Sequence, residues 1–301
     1  MDARLLATLR TVHERGGVTA AATVLHVTPS AVSQQLRVLQ RETGVTLVER
    51  DGRGVRLTAA GCALADAALG VAIALERAQA ACDTFLARPE GVVRLSAFQS
   101  AAQMLLPGLL TRVGRHEGIE LICSDEDVAQ ADFVGLTADH DIVVAHRPDR
   151  SHDWGPGVQV VPLVREPLDV AVPVGHRLAD RASVRPEDLV GERWIAVREG
   201  FPVATVLAAV AARAGAAPHV VQRINDFHVV EALVAAGHGI SLLPRYTAGD
   251  VHGTRFRLVP LDGVRAGRRI DALLRPDRAE RRVVRQVVAE LQVQAREFGA
   301  S

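Results

Sequence analysis

Between Leu64 and Phe85 the apolar residues return at steps of 4-3-4-3-4-3: Leu64, Ala68, Val71, Leu75, Ala78, Cys82 and Phe85. That alternation lays one stripe along a single helix and is the a/d repeat of a coiled coil. A stripe of this kind is buried best against a copy of itself, with packing inside one chain as the competing outcome. Alanine at two of the seven positions implies close, moderate packing. No proline interrupts the run, and "ARPEG" (Ala87 to Gly91) ends it. The helix cuts the chain in two, and the sequence on either side has a different character.

Residues 1–60 read as three short helices and a hairpin. Leu5, Leu6, Leu9 and Val12 make one helical face that stops at Gly16-Gly17, and Thr19 to Leu25 is a short alanine-rich helix. The third helix has Thr28 as N-cap, Pro29 at its first position and Gly44 as its stop. Its leading edge is small and polar, whereas Leu36 and Leu39 on later turns are placed to face the first two helices. "VTLVERDGRGVRLT" then turns at Asp51-Gly52 and returns through Val55 and Leu57 as a two-stranded wing. A helix entering the DNA major groove needs a slim, polar N-terminal end, because bulk there would hold the backbone away from the base edges. Thr28, Pro29, Ser30, Ser33 and Gln34 supply such an end. Gln34 and Gln35 can pair with adenine, and Ser30 and Ser33 can bond to bases or phosphates. Arg37, Arg50, Arg53 and Arg56 are placed for the phosphate backbone. Taken alone the helix would also suit an ordinary surface position. The short turn before it and the arginines of the wing favour the nucleic-acid reading. Residues 1–60 hold eight arginines against five acids, a balance of +3.

On these residues the chain resembles the LysR-type transcriptional regulators. The match runs through "TAAATVLHVTPSAVSQQLRVLQRETGVTLVERDGRGVRLTAAG", with the helix-turn-helix, the "LVER" turn and the closing "LTAAG" in the family's order and spacing. Many members carry Ser-Gln-Pro-Ala where this chain has Thr28-Pro29-Ser30-Ala31, and an arginine where it has Gln34. The resemblance implies base contacts from Pro29, Ser30, Ser33 and Gln34. It also implies that the 4-3 helix is the family's linker helix, which pairs two subunits.

From residue 92 onward strand-like and helix-like segments alternate. "VVRLSAF", "IELIC", "DIVVAH", "VQVVPLV", "LDVAVPV", "RWIAV", "HVVQRI", "ISLLP" and "FRLVPL" read as strands. "AAQMLLPGLLTRVGRH", "VATVLAAVAARAG" and "DFHVVEALVAAG" read as helices. A long amphipathic helix with Val284, Val287, Val288 and Leu291 inside closes the chain. This alternation predicts an α/β fold with a mostly parallel sheet and helices on both faces. The segments "PLVREPLDVAVPVGHRLA", "VEALVAAGHGISLLP" and "LDGVRAGRRIDALLRP" resemble those of the same family's effector domain. The resemblance implies a two-lobed, periplasmic-binding-protein-like (type 2) α/β effector domain. The expected organisation is a winged helix-turn-helix over 1–60 and a coiled-coil linker helix and hinge over 61–90. The effector domain covers 91–301, with lobe 1 about 91–163 and 267–301 and lobe 2 about 164–266.

Ligands in such sheets sit where strand ends meet helix N-termini, which favour anions. The candidate loops are Phe98-Gln99-Ser100, His146-Arg147, Arg198 with Phe201 and Pro202, and Asn225 with Phe227. Ser100 can bond a carboxylate, and Arg147 or Arg198 can pair with it. The expected effector is a small carboxylate or amino acid.

Composition narrows the rest. The formal net charge is zero over 301 residues, so a polyanionic partner must be read from local patches. Every basic residue is arginine, whose planar fork suits phosphate and guanine edges. Three cysteines with no C-x-x-C pair argue for a reducing compartment and for buried small apolar side chains rather than redox triggers. The N-terminal stretch lacks a signal-peptide h-region, and no uninterrupted apolar run reaches membrane-span length. No G-x-S-x-G, H-E-x-x-H, P-loop or complete G-x-G-x-x-G is present, and no metal-ligand spacing, so no enzyme, cofactor or metal is expected. The expected partners are double-stranded promoter or operator DNA, the effector, and further copies of the chain as homodimer or homotetramer, in the cytoplasm and without a membrane. An architectural DNA-binding protein with a vestigial pocket and a solute-binding module are the alternatives.

Overall fold

A computed structural model of the chain describes residues 1–52, 54–83, 85, 89–149, 154–155, 157–249 and 252–299. The chain forms two compact units, one from Met1–Pro89 with Arg275–Arg282 and one from Glu90–Leu274 with Val283–Ser301.

In the first unit α1 (Ala3–Arg15) begins at Asp2, whose carboxylate accepts from the Arg4 N–H at 2.8 Å, and ends at Gly16 in the left-handed region. α2 (Val18–Val24) and α3 (Pro29–Thr43) follow. The turn between them holds His26 at φ 54°, a left-handed conformation that a side chain rarely adopts. Thr28 caps α3 by accepting from the Ala31 N–H at 3.2 Å, with Pro29 at the first position and Gly44 at the stop. Leu36, Leu39 and Val32 of α3 pack with Leu6, Leu9 and Val12 of α1 and Ala21 and Ala22 of α2. The wing, β1 (Val48–Asp51) and β2 (Gly54–Leu57), is tied to α3 by Gln40, whose Oε1 accepts from the N–H groups of Leu47 at 2.8 Å and Val48 at 3.1 Å.

α4 (Ala59–Asp83) starts against the wing. Gly61 allows that approach, since a Cβ there would sit 2.1 Å from the Leu47 carbonyl oxygen. The 4-3 stripe divides. Leu64 and Ala68 pack into the core of their own chain, which corrects their assignment to an inter-subunit seam. Val71, Leu75, Ala78, Cys82 and Phe85 are exposed, with Leu75 at 55 % and Phe85 at 92 %. By length and composition α4 is apolar enough to cross a membrane, and Asp66, Glu76 and Arg77 interrupt it. The cysteines also depart from expectation: Cys82 is exposed and Cys62 and Cys123 are half-buried, all as free thiols. The short helix Pro276–Ala279 completes the unit. Asp277 there meets Arg10 at 2.9 Å and Arg275 at 2.8 Å, and Arg275 reaches Glu14 at 3.0 Å. Burial alone would raise the Asp277 carboxyl, but the Arg275 and Arg10 guanidiniums overcome it and hold the group below the usual range.

The second unit runs β3 (Gly91–Ala97), α5 (Gln99–Val113), β4 (Ile119–Asp125), α6 (Phe133–Leu136), β5 (Ile142–Pro148), β6 (Gln159–Pro173), β7 (Arg193–Ala196), α7 (Pro202–Ala214), β8 (His219–Arg223), α8 (Phe227–Ala235), β9 (Ser241–Pro244), β10 (Phe256–Val259) and β11 (Gly267–Leu274). Pro276–Ala279 counts as α9, and α10 (Arg282–Gly299) ends the fold. A seven-stranded sheet is ordered β10-β6-β11-β5-β3-β4, with β9 also on β6. β7 and β8 form a separate parallel pair. The expectation of a mostly parallel sheet is overturned. Only β3–β4 and β3–β5 are parallel in the large sheet, whereas β6 and β11 run antiparallel to each other and to their other neighbours. The reason is a crossing and a return: β6 carries the chain out along the sheet and β11 brings it back. The segments read as two strands, "VQVVPLV" and "LDVAVPV", are halves of the single fifteen-residue β6.

Candidate nucleic-acid interface and effector cavity

The leading edge of α3 is exposed at Thr28, Pro29, Ser30 and Gln34. Its hydroxyls are locally bonded. Thr28 Oγ1 lies 2.9 Å from Ser30 Oγ, and Ser33 donates back to the Pro29 carbonyl at 2.9 Å. Gln34 therefore presents the longest reach with donor and acceptor together. Gln35 is not available for adenine, because its Oε1 accepts from the Thr8 hydroxyl at 2.7 Å. Arg37 is exposed and its Nε donates to the Ser33 carbonyl at 3.3 Å. On the wing Arg50 is exposed, while Arg56 pairs with Glu49 at 2.7 Å across the hairpin. Both partners of that pair face solvent, so it is weak and can exchange for a phosphate. Arg53 lies outside the described residues. Beside this edge, Gln34, Arg37, Gln40, Arg41 and the Gly44–Thr46 turn form an open concavity of about 820 Å³.

In the second unit eight of the ten effector candidates line one cavity: Phe98, Gln99, Ser100, His146, Phe201, Pro202, Asn225 and Phe227. The first residues of α5, α7 and α8 (Gln99, Pro202 and Phe227) all open on it. Asp226 caps α8 with its carboxylate, but α5 and α7 begin at Phe98 and Phe201, which supply no side-chain acceptor. The first-turn N–H groups of α5 thus lack a side-chain cap at the cavity wall, a place that favours negative charge.

Arg147 and Arg198 do not line the cavity. Arg147 donates to Asp271 at 2.6 Å, and that carboxylate also accepts from Trp154 Nε1 at 2.9 Å. Arg198 is exposed, with its guanidinium 5.8 Å from the Phe201 ring centre. The arginine inside is Arg268, which the sequence reading missed. It is 3 % exposed, donates to Ser100 Oγ at 2.7 Å and to Glu166 at 2.7 and 2.9 Å, and stacks over Phe98 at 4.9 Å. Glu166 is fully buried and cancels its charge. Asp127, Val197 and Val203 also line the cavity without having been anticipated. Burial raises the Asp127 carboxyl, against the pull of Asn225, Arg198 and Arg268. Burial, then the charge of Arg268, holds His146 well below its ordinary value, so its ring is neutral at pH 7. Four of the seven phenylalanines gather here, Phe98, Phe133, Phe201 and Phe227, with His146 packed edge-on to Phe98 at 4.6 Å and Phe133 at 4.9 Å. The space left is about 20 Å³ at water centres, room for about one water.

Residues 3–62 match the family description "Bacterial regulatory helix-turn-helix protein, lysR family", and residues 86–296 match "LysR substrate binding domain". GltC of Bacillus subtilis (strain 168), a transcriptional dual regulator, is 27 % identical over 259 residues, which is 83 % of each chain. A full-length single-residue variant of OxyR from Pseudomonas aeruginosa shares the fold at a TM-score of 0.67 and 20 % identity, covering 98 % of this chain and 95 % of that one. CbnR, solved with its target DNA, shares it at 0.53 and 23 %, covering 98 % of this chain and 100 % of that one. With both halves matched in order over most of its length, the chain belongs to the LysR family of bacterial helix-turn-helix transcriptional regulators.

Proposed function

We infer that this regulator reads its operator with the α3 edge, Thr28, Pro29, Ser30, Ser33 and above all Gln34. Arg37, Arg50 and Arg56 grip the flanking phosphates, with Arg53 assigned the same role from sequence. The observation that carries the reading is that α3 buries Val32, Leu36 and Leu39 on one side and leaves a slim amide- and hydroxyl-bearing edge uncovered on the other. The chain acts as a homo-oligomer, dimer or tetramer, in the cytoplasm. Its α4 stripe from Val71 to Phe85 is exposed in the single chain and is best buried on a second copy.

The effector is a small carboxylate with a compact apolar body, an aromatic or hydrophobic amino acid included. The uncapped first turn of α5, Ser100 and Arg268 suit the carboxylate, and Phe98, Phe201 and Phe227 suit the body. A typical ligand site holds ~300–1,000 Å³, so the compact cavity must open to admit it. The ligand then shifts DNA binding only by the difference of its affinity for open and closed forms, typically ~1–3 kcal/mol. Footprinting of the full chain tests the regulator against an architectural role. Protection of a discrete, roughly palindromic site whose pattern changes with a bound carboxylate is expected; even coating of DNA regardless of sequence would overturn it.

A further inference from the structure

A second groove of about 420 Å³ lies away from the cavity, on the far side of β11. Neighbours on a strand face opposite ways, and β11 spends one arginine on each side: Arg268 enters the cavity, while Arg269 points to Asp149, 3.8 Å away. Asp149 follows β5 directly, its side chain is 2 % exposed, and Arg165 at 2.7 Å and Arg265 at 3.3 Å meet it as well. Three guanidiniums therefore share one carboxylate, and among the described residues no second carboxylate lies within ion-pair distance of any of them. All three remain 40–51 % exposed. Gly267 makes the convergence possible, since a Cβ there would come within 2.6 Å of the Arg165 guanidinium and 3.1 Å of the Asp149 carboxylate. Asp149 and Arg265 line the groove. Arg213 of α7 is the other lining cation, and its ion-pair partner Glu187 lies 3.9 Å away with both side chains exposed. Val206, Ala209 and Val264 add apolar lining.

We propose that this groove is a second ligand site, for a small phosphate monoester. Arg265 and Arg213 line the groove beside the single Asp149 carboxylate, and Arg165 and Arg269, which meet Asp149 without lining the groove, add to the positive field there. A phosphate monoester carries about −1.5 to −2 at neutral pH, and its oxygens match the arginine fork. A single carboxylate would leave a charge over. The apolar lining takes the carbon skeleton. Position gives the site a consequence. Arg165 and Gly267 belong to β6 and β11, the two strands that cross the unit, and α7 lends its first residues Pro202 and Val203 to the cavity and its later turns to the groove. A phosphate ester there stiffens the crossing strands and alters how readily the cavity opens, so the two ligands affect each other's affinity equally. The assignment rests on the groove and the Asp149 cluster behind it and does not depend on what the cavity binds.

Calorimetric titration of the full chain with glycerol 3-phosphate tests this, with glycerol and with sodium chloride at matched ionic strength as controls. Saturable binding is expected with the phosphate ester alone. Arg265→Gln and Arg213→Gln should each weaken it about tenfold, as loss of a hydrogen bond to a charged group does. Because Arg213 is exposed and outside the Asp149 cluster, its variant keeps the test decisive if Arg265→Gln does not fold. No saturation, an equal response to chloride, or unaltered binding by folded Arg213→Gln would each overturn the proposal.

Discussion

Arg268 shows why a third of the cavity lining could not be read from the sequence. Its partners Glu166 and Ser100 lie 102 and 168 residues away, and nothing local distinguishes it from Arg269 beside it. Phe98, Ser100, Phe201 and Phe227 were legible because each stands at the start of a helix after a strand, where such folds place ligands. Arg147 and Arg198 were plausible on the same rule, but strand alternation and an acidic neighbour, Asp271, took Arg147 elsewhere. At this scale His146 gives a clean prediction. Its folded value is held well below the ordinary histidine range, so the folded chain stays unprotonated there while the unfolded chain gains a proton below about pH 6.5. Stability should thus be flat above that pH and fall as pH drops below it, by up to about 1.4 kcal/mol per pH unit from this group. His146→Gln should remove that slope between about pH 5 and 6.5 in thermal unfolding; parallel slopes in both proteins would show that the ring is not buried neutral.

Among the elements, α3 is the most legible, because its cap, its first proline and its closing glycine are local signals that tertiary contacts did not override. β6 is the least, since a strand shared by two regions carries the patterns of both, with Pro162 and Pro167 posing as breaks. The 4-3 stripe of α4 reads as one seam, and the structure divides it where the helix leaves its own core. Leu75, on the exposed part, tests the seam's role. Leu75→Asp would bury a charge in any paired interface, a cost of several kcal/mol, while on a monomer's surface it costs little. The variant should stay folded and sediment as a monomer; an unchanged oligomer with intact operator affinity would remove this stripe from the subunit contact.

For the whole molecule, the family's two parts divide the work by chemistry. The first unit carries an exposed polar helix edge, and the second encloses an aromatic cavity ringed by helix N-termini. Regulation requires that the second change the affinity of the first, and the α3 edge proposed to read DNA is the point where that effect should appear. Selection of binding sites from random DNA, run side by side for the native chain and Gln34→Ala, probes that edge directly. The native chain should select a discrete, roughly two-fold symmetric site, and Gln34→Ala should lose preference at one base position per half-site, by about 1–3 kcal/mol, while keeping the rest. An identical selected site for both proteins, or a uniform loss on every sequence, would contradict it.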